Sequence, residues 1–258
     1  MPFSPGNPPV QARRFGERLA FAVARVDPRD EAAHAAIATA WLAGAEPARS
    51  DRFLVPHARA DFLAGRVAAK SAARILRADL PLPAAFEIRA GGLEPPEIAH
   101  VLPGSQVTIA HSGGLGLACV HAATMRCGVD LEAVERDASE AIATQVTAGE
   151  IAWARAGGDE EAVRWLLLWT AREARGKSFG TGLLESGRLA PTEAWTAAPP
   201  GWRARFLNDD AMIARSVLVG GFVVTAALRP AAEADAIAAW LTEVLDAPGT
   251  PPSSGHFV

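Results

Sequence analysis

At 258 residues, half of them hydrophobic, the chain can form one large domain or two lobes and bury a sizeable core. Its 25 basic and 29 acidic residues leave a formal charge of −4, which gives no global reason to expect nucleic-acid binding. No apolar run approaches the ~18–20 residues that span a bilayer, the proline-rich start is not a signal peptide, and Cys119 and Cys127 form neither a disulfide framework nor a zinc cluster. The expectation is a cytoplasmic protein, engaging neither membrane nor nucleic acid.

Residues 1–13 read as a flexible lead. Residues 19–26 (LAFAVARV) read as a buried strand ended by Asp27-Pro28, and the Ala-rich stretch 30–42 as a helix. A long helix is expected over about 56–78, with Pro56 suiting its first turn. Residues 86–89 form a short strand candidate, and 91–96 a turn-rich connection. Residues 106–110 and 115–120 read as a hairpin about Ser112-Gly113-Gly114, and 128–134 as a further strand.

The stretch 140–156 reads as helix, or as two short ones broken near Thr147-Ala148-Gly149. After Gly157-Gly158 comes a helix over 159–178, with Asp159 as its cap and Gly180-Thr181-Gly182 as its stop. Residues 202–207, 212–219 and 222–228 read as an antiparallel meander, 231–245 as a last helix, and 247–258 as a flexible tail.

An internal repeat runs through this order. A shift of 102 positions carries Val67-Ala68-Ala69-Lys70-Ser71-Ala72 onto Trp169-Thr170-Ala171-Arg172-Glu173-Ala174. A basic residue and an alanine recur in register, but Glu173 falls on Ser71. The repeat implies two similar α+β lobes, over 14–122 and 123–246, with a cleft between them.

Four groups of residues could carry chemistry. Trp169, Glu173 and Lys177 follow one another every fourth residue and share a helix face. Asp130 and Glu132 are two apart, so on a strand both point to one side while Val129 and Leu131 point to the other. Two like charges there repel unless a cation lies between them, and Mg²⁺ prefers such oxygen ligands. The same spacings also fit an ordinary exposed strand face and a solvated ion pair. His111 and Ser112 stand at a strand end beside glycine amides, where an anion could bind or a hairpin simply turn. Arg66 and Lys70 are like charges four apart, on a solvated face or across a phosphate-bearing ligand. Arg172 and Arg175 add positive charge near Glu173.

Taken together, these stretches resemble the 4′-phosphopantetheinyl transferase superfamily, in its two-lobed single-chain type. Residues 62–70 (FLAGRVAAK) look like the family's first-lobe helix, and Ile109-Ala110-His111-Ser112 like its Ser-His-Ser strand end. Gly128-Val129-Asp130-Leu131-Glu132 looks like Gly-(Ile/Val)-Asp-x-Glu. Residues 169–177 (WTAREARGK) look like Trp-x-x-Lys-Glu-(Ala/Ser)-x-x-Lys. The last two motifs are the specific ones.

The resemblance implies an α+β fold of two similar lobes related by pseudo-twofold symmetry, each a long helix packed on a small, mostly antiparallel sheet. It implies a monomer that moves the 4′-phosphopantetheine of coenzyme A onto a serine of an apo acyl or peptidyl carrier protein, releasing adenosine 3′,5′-bisphosphate. The carrier would serve polyketide or nonribosomal peptide biosynthesis. By this resemblance Asp130, Glu132 and Glu173 hold Mg²⁺, Glu173 or Glu132 is the general base, and Lys177 meets phosphate. Arg66, Lys70, His111 and Ser112 contact coenzyme A. Arg172 stands where the family has Lys, and Ala110 where it has the first Ser. The usual Gly-Lys-Pro lysine is absent, and a residue such as Arg89 could supply its charge. A non-catalytic protein binding coenzyme A or a carrier is the alternative on the same fold.

Overall fold

The computed structural model describes residues 6–89, 96–98, 102–134, 139–180, 195–206 and 209–246. The tail from 247, the turn over 91–95 and the helix stop beyond Gly180 lie outside them. The chain divides into two compact units, Met1–Met125 and Arg126–Val258.

In the first unit a four-stranded antiparallel sheet runs in the order β1-β2-β6-β5. The strands are β1 (Val10–Phe15), β2 (Leu19–Arg25), β5 (Ser105–Ser112) and β6 (Leu115–Ala122). Between β2 and β5 the chain makes α1 (Glu31–Trp41), α2 (Glu46–Ser50), α3 (Pro56–Leu76), and the paired short strands β3 (Ile88–Arg89) and β4 (Glu97–Ile98). Asp30 caps α1 by accepting from the Ala33 amide at 2.9 Å. The β5–β6 hairpin closes on Gly113 and Gly114, both with positive φ, the conformation a two-residue turn between twisted strands demands. Ala60, Ala64, Ala68 and Ala72 of α3 are fully buried, so small side chains let the helix lie close on the sheet. At Gly116 of β6 a Cβ would fall on the backbone of Ala64 and Gly65.

Residues 10–13, read as lead, belong to β1. They pair with β2 and are marked only by Val10 and Ala12, which pack on the core. An edge strand with two small inward residues leaves little alternation to read.

The second unit's sheet runs β7-β11-β10-β9-β8, all antiparallel. Its strands are β7 (Arg126–Ala133), β8 (Thr196–Ala197), β9 (Trp202–Phe206), β10 (Asp209–Val219) and β11 (Phe222–Arg229). Its helices are α4 (Ser139–Ala143), α5 (Ala148–Arg155), α6 (Glu161–Phe179) and α7 (Ala234–Asp246). The break between α4 and α5 has a local cause. Thr147 and Glu150 form a capping box, each side chain bonding the other's backbone amide.

Two boundaries differ from expectation. Gly158, at positive φ, leads into a 3₁₀ turn, Gly158–Glu160, so α6 starts at Glu161 with Glu160 in the cap position, rather than at a cap on Asp159. Strand β10 begins at Asp209, within the expected turn, and its register against β9 shifts between Asp209 and Ile213. At the other end of α6, Gly180 takes the left-handed conformation that ends it.

The protein is therefore α+β, with a long helix packed on an antiparallel sheet in each unit. Both units share one connectivity. A strand leads through short helices to the long helix, then to two hairpin strands. The first strand pairs with the last, and the last with the one before it: β2-β6-β5 and β7-β11-β10. The 102-residue repeat sits on the corresponding helices α3 and α6.

Candidate active site in the second unit

Strand β7 positions the acids. Gly128, Asp130 and Glu132 alternate with Val129 and Leu131, so all three share the face that α6 covers. At Gly128 a Cβ would fall on the Ala174 carbonyl oxygen and lie 2.7 Å from the Ser178 amide nitrogen. The helix backbone touches the strand backbone there, and only glycine permits that approach. Val129 and Leu131 are also buried, on the opposite face. The acids thus lie on an inward face, not on an exposed one opposite the packed apolar side.

That close approach brings the helix side chains onto the acids. Lys177 donates to Asp130 Oδ1 at 2.6 Å. Among the described residues its ion pair is with Asp130, not with Glu173 one turn back. Asp130 is buried, and its Oδ2 has no hydrogen-bond partner among the described residues. Burial pushes its carboxyl up to about 7; Lys177 opposes that rise, while Glu173 and Glu132 add to it. Burial also raises Glu173, against the pull of Lys177 and with the repulsion of Glu132. For Lys177, burial works against the charge, but Asp130, Glu173 and Glu132 outweigh it and raise the amine. These four groups therefore form one electrostatic cluster of three carboxylates and one ammonium.

A buried hydroxyl chain fixes the helix over the strands. Thr170 Oγ1 donates to the Leu166 carbonyl at 2.8 Å and lies 2.7 Å from Thr225 Oγ1, which lies 2.7 Å from Ser216 Oγ. Thr225 stands directly opposite Asp130 across the sheet, and Ser216 opposite Thr225. All three hydroxyl residues are fully buried. Nothing in the helical spacing of the sequence marks them, because the link is cross-strand.

Among the described residues no three Asp, Glu, His or Cys side chains are arranged to hold a metal ion. The donor chemistry nevertheless suits a hard divalent cation. The cluster offers carboxylate oxygens from two elements, and Asp130 Oδ2 is buried without the partner that such an oxygen needs. Asp130, Glu132 and Glu173 are the residues that could hold it.

The other expected site residues are placed differently. Lys70 is wholly buried and gives its three protons to Glu46 Oε2 at 2.6 Å, the Trp41 carbonyl at 2.6 Å and the Pro83 carbonyl at 3.0 Å. As placed, all three of its donors are used inside the first unit. Arg66 is almost as buried; its Nε lies 3.1 Å from Glu46 Oε1 and its guanidinium stands over the Phe62 ring. As placed it also serves the interior rather than a ligand.

In the second unit Arg172 is buried against Glu150. Arg175 is buried with its guanidinium over the rings of Phe206 and Phe179. Neither carries its charge at the surface. His111 is exposed and Ser112 partly so, at the end of β5. The His111 ring lies against Gly65 of α3, where a Cβ would be 3.3 Å from its Cδ2.

Glu46 and Glu150 are the residues that helical spacing missed. Each begins or lies early in a short helix and ties it to the basic residue of the repeat, Lys70 or Arg172. Each also accepts a backbone amide three residues back, Ala43 or Thr147. The Thr147-x-x-Glu150 capping box was the one readable signal.

Residues 126–227 match the family model of the 4′-phosphopantetheinyl transferase superfamily. The span starts at the first residue of β7 and takes in Asp130, Glu132, Glu173, Lys177 and the hydroxyl chain. It points to phosphopantetheine transfer as the general class of chemistry. No curated protein matches the chain.

Proposed function

We propose that the protein transfers 4′-phosphopantetheine from coenzyme A to a serine of an apo acyl or peptidyl carrier protein. The observation that supports this best is the cluster of Asp130, Glu132 and Glu173 about Lys177, inside the span that matches the family. Adenosine 3′,5′-bisphosphate is the second product. The enzyme works as a cytoplasmic monomer.

The serine oxygen forms a bond to the β-phosphorus of the pyrophosphate as the bond to the bridging oxygen breaks. The serine proton passes to Glu173, directly or through water, with Glu132 the rival acceptor. Burial raises the Glu173 carboxyl, which brings it closer to the basicity a general base needs near neutrality. Asp130, Glu132 and Glu173 would hold Mg²⁺, which when bound offsets charge on the phosphoryl oxygens. The Lys177 ammonium donates to the phosphate oxygens of the leaving group. His111 and Ser112 of the first unit contribute contacts to coenzyme A. Thr170 and Thr225 keep the α6 register, so that Glu173 and Lys177 face β7.

The test is incubation with coenzyme A, Mg²⁺ and a panel of apo carrier proteins, read by intact mass. A carrier gaining the phosphopantetheine arm supports the assignment, and Glu173→Gln should abolish that gain while the fold persists. No gain across a broad panel, or near-normal turnover in the variant, refutes the activity or the base respectively.

A further inference from the structure

We propose that Lys177 is a resident counter-cation of the acidic cluster, and that a divalent metal enters by displacing its ammonium from Asp130. The displaced ammonium is then free to meet a phosphate. This rests on reading the cluster as the transferase centre, and it deepens that reading by making metal loading an exchange of cations.

Three observations carry it. First, Lys177 sits on Asp130 Oδ1 at 2.6 Å while Oδ2 of the same carboxylate is buried and unpartnered among the described residues. One ammonium satisfies half of a group that needs more positive charge. Second, Lys177 occupies an oxygen of the acid that would have to bind the ion, and in this arrangement no three acids among the described residues are set to hold one. An ammonium and a divalent ion sharing one buried carboxylate would repel strongly at such a distance. Third, Lys177 is able to leave. Its side chain is 27% exposed and, among the described residues, makes one hydrogen bond, to Asp130. Lys70 provides the contrast, fully buried and held by three acceptors. Both lysines neutralise a buried carboxylate, but of the two Lys177 alone has a path to solvent.

The full-length protein without coenzyme A is titrated with Mn²⁺, and free Mn²⁺ is read from its electron paramagnetic resonance signal. Wild type, Lys177→Gln, Lys177→Met and Asp130→Asn are compared, with folding checked by circular dichroism. Removing the competing ammonium should tighten Mn²⁺ binding about tenfold or more in both Lys177 variants, and Asp130→Asn should abolish it. On wild-type protein, which carries no folding risk, Mn²⁺ should increase acetic-anhydride labelling of Lys177 several-fold by peptide mass. Binding by wild type that is lost in Asp130→Asn, but equal or weaker in the Lys177 variants, overturns the exchange and leaves the metal site standing. No Mn²⁺ bound by any form overturns the exchange and the metal reading together. Unchanged labelling of Lys177 in a protein that does bind Mn²⁺ also overturns the exchange.

Discussion

Without metal, the stability difference between Asp130→Asn and wild type should move in the variant's favour as pH rises from acid to neutral, whatever the pH-independent cost of stranding the Lys177 ammonium. The native carboxyl is raised from 3.8 to about 7 by burial, so the folded state keeps a proton that the unfolded chain has lost. Stability therefore falls as pH rises between these values and levels off above about 7. The cost is absent below about pH 4 and reaches roughly 4 kcal/mol at its plateau, since each pH unit between the two values contributes about 1.36 kcal/mol. Between pH 5 and pH 8 the linkage relation gives a change of about 2.5 kcal/mol. The neutral asparagine does not titrate, so the gap between variant and wild type should open by that amount over this range.

Urea denaturation in a metal chelator at the two pH values measures it. Tryptophan fluorescence is a suitable probe, because six of the seven tryptophans lie in the second unit, leaving only Trp41 in the first. A gap that stays constant with pH would refute the claim that Asp130 is buried against its charge. Adding Mg²⁺ should flatten the wild-type pH dependence if the cluster holds the ion.

Gly128→Ala should cost about 3 kcal/mol or more, because the new methyl meets backbone of α6 that cannot retreat without lifting Glu173 and Lys177; thermal unfolding reads the loss. Lys70→Met should lower stability by about 3 kcal/mol by stranding part of Glu46 in the interior. The folded variant should bind coenzyme A as tightly as wild type by calorimetry, and a large loss of affinity would restore Lys70 to the ligand. His111→Ala should raise KM for coenzyme A roughly tenfold with little change in kcat, the size of one lost hydrogen bond to a charged group. An unchanged KM would remove His111 from the site.

The sequence made most elements legible where one signal dominated. Proline at 56, Asp30 before an Ala-rich run, and Gly113-Gly114 between alternating strands each marked a boundary that the structure has. Strand β1 escaped because its inward residues are small and few. The start of α6 was misplaced because an acidic residue after two glycines resembles a cap, whereas the chain spends that turn in 3₁₀ geometry. For the candidate site, period-two spacing placed Asp130 and Glu132 on one face, and period-four spacing did the same for Glu173 and Lys177.

Spacing could not say which partner a lysine chooses. Lys177 takes Asp130, 47 residues away, over the acid one turn along its own helix. Nor could it separate Lys70 from Lys177, since a basic residue on a helix reads the same whether its partners are buried carbonyls or solvent. Thr170, Thr225 and Ser216 meet only through tertiary packing, which no local window contains.

The glutamate ties to Lys70 and Arg172 also act as fasteners on the chain. Glu46 and Lys70 close a segment spanning 24 positions, and Glu150 and Arg172 one spanning 22. Loop-closure entropy varies so slowly with length that the two segments are equally hard to close. What differs is what else each glutamate reaches. Glu46 also accepts from the Ile88 amide and pairs with Arg66, so it ties β3 to α2 as well, whereas the further bonds of Glu150 are to Thr147 at the start of its own helix. The tie to β3 is one that α5 lacks, so amide exchange at α5 should outrun that at α2.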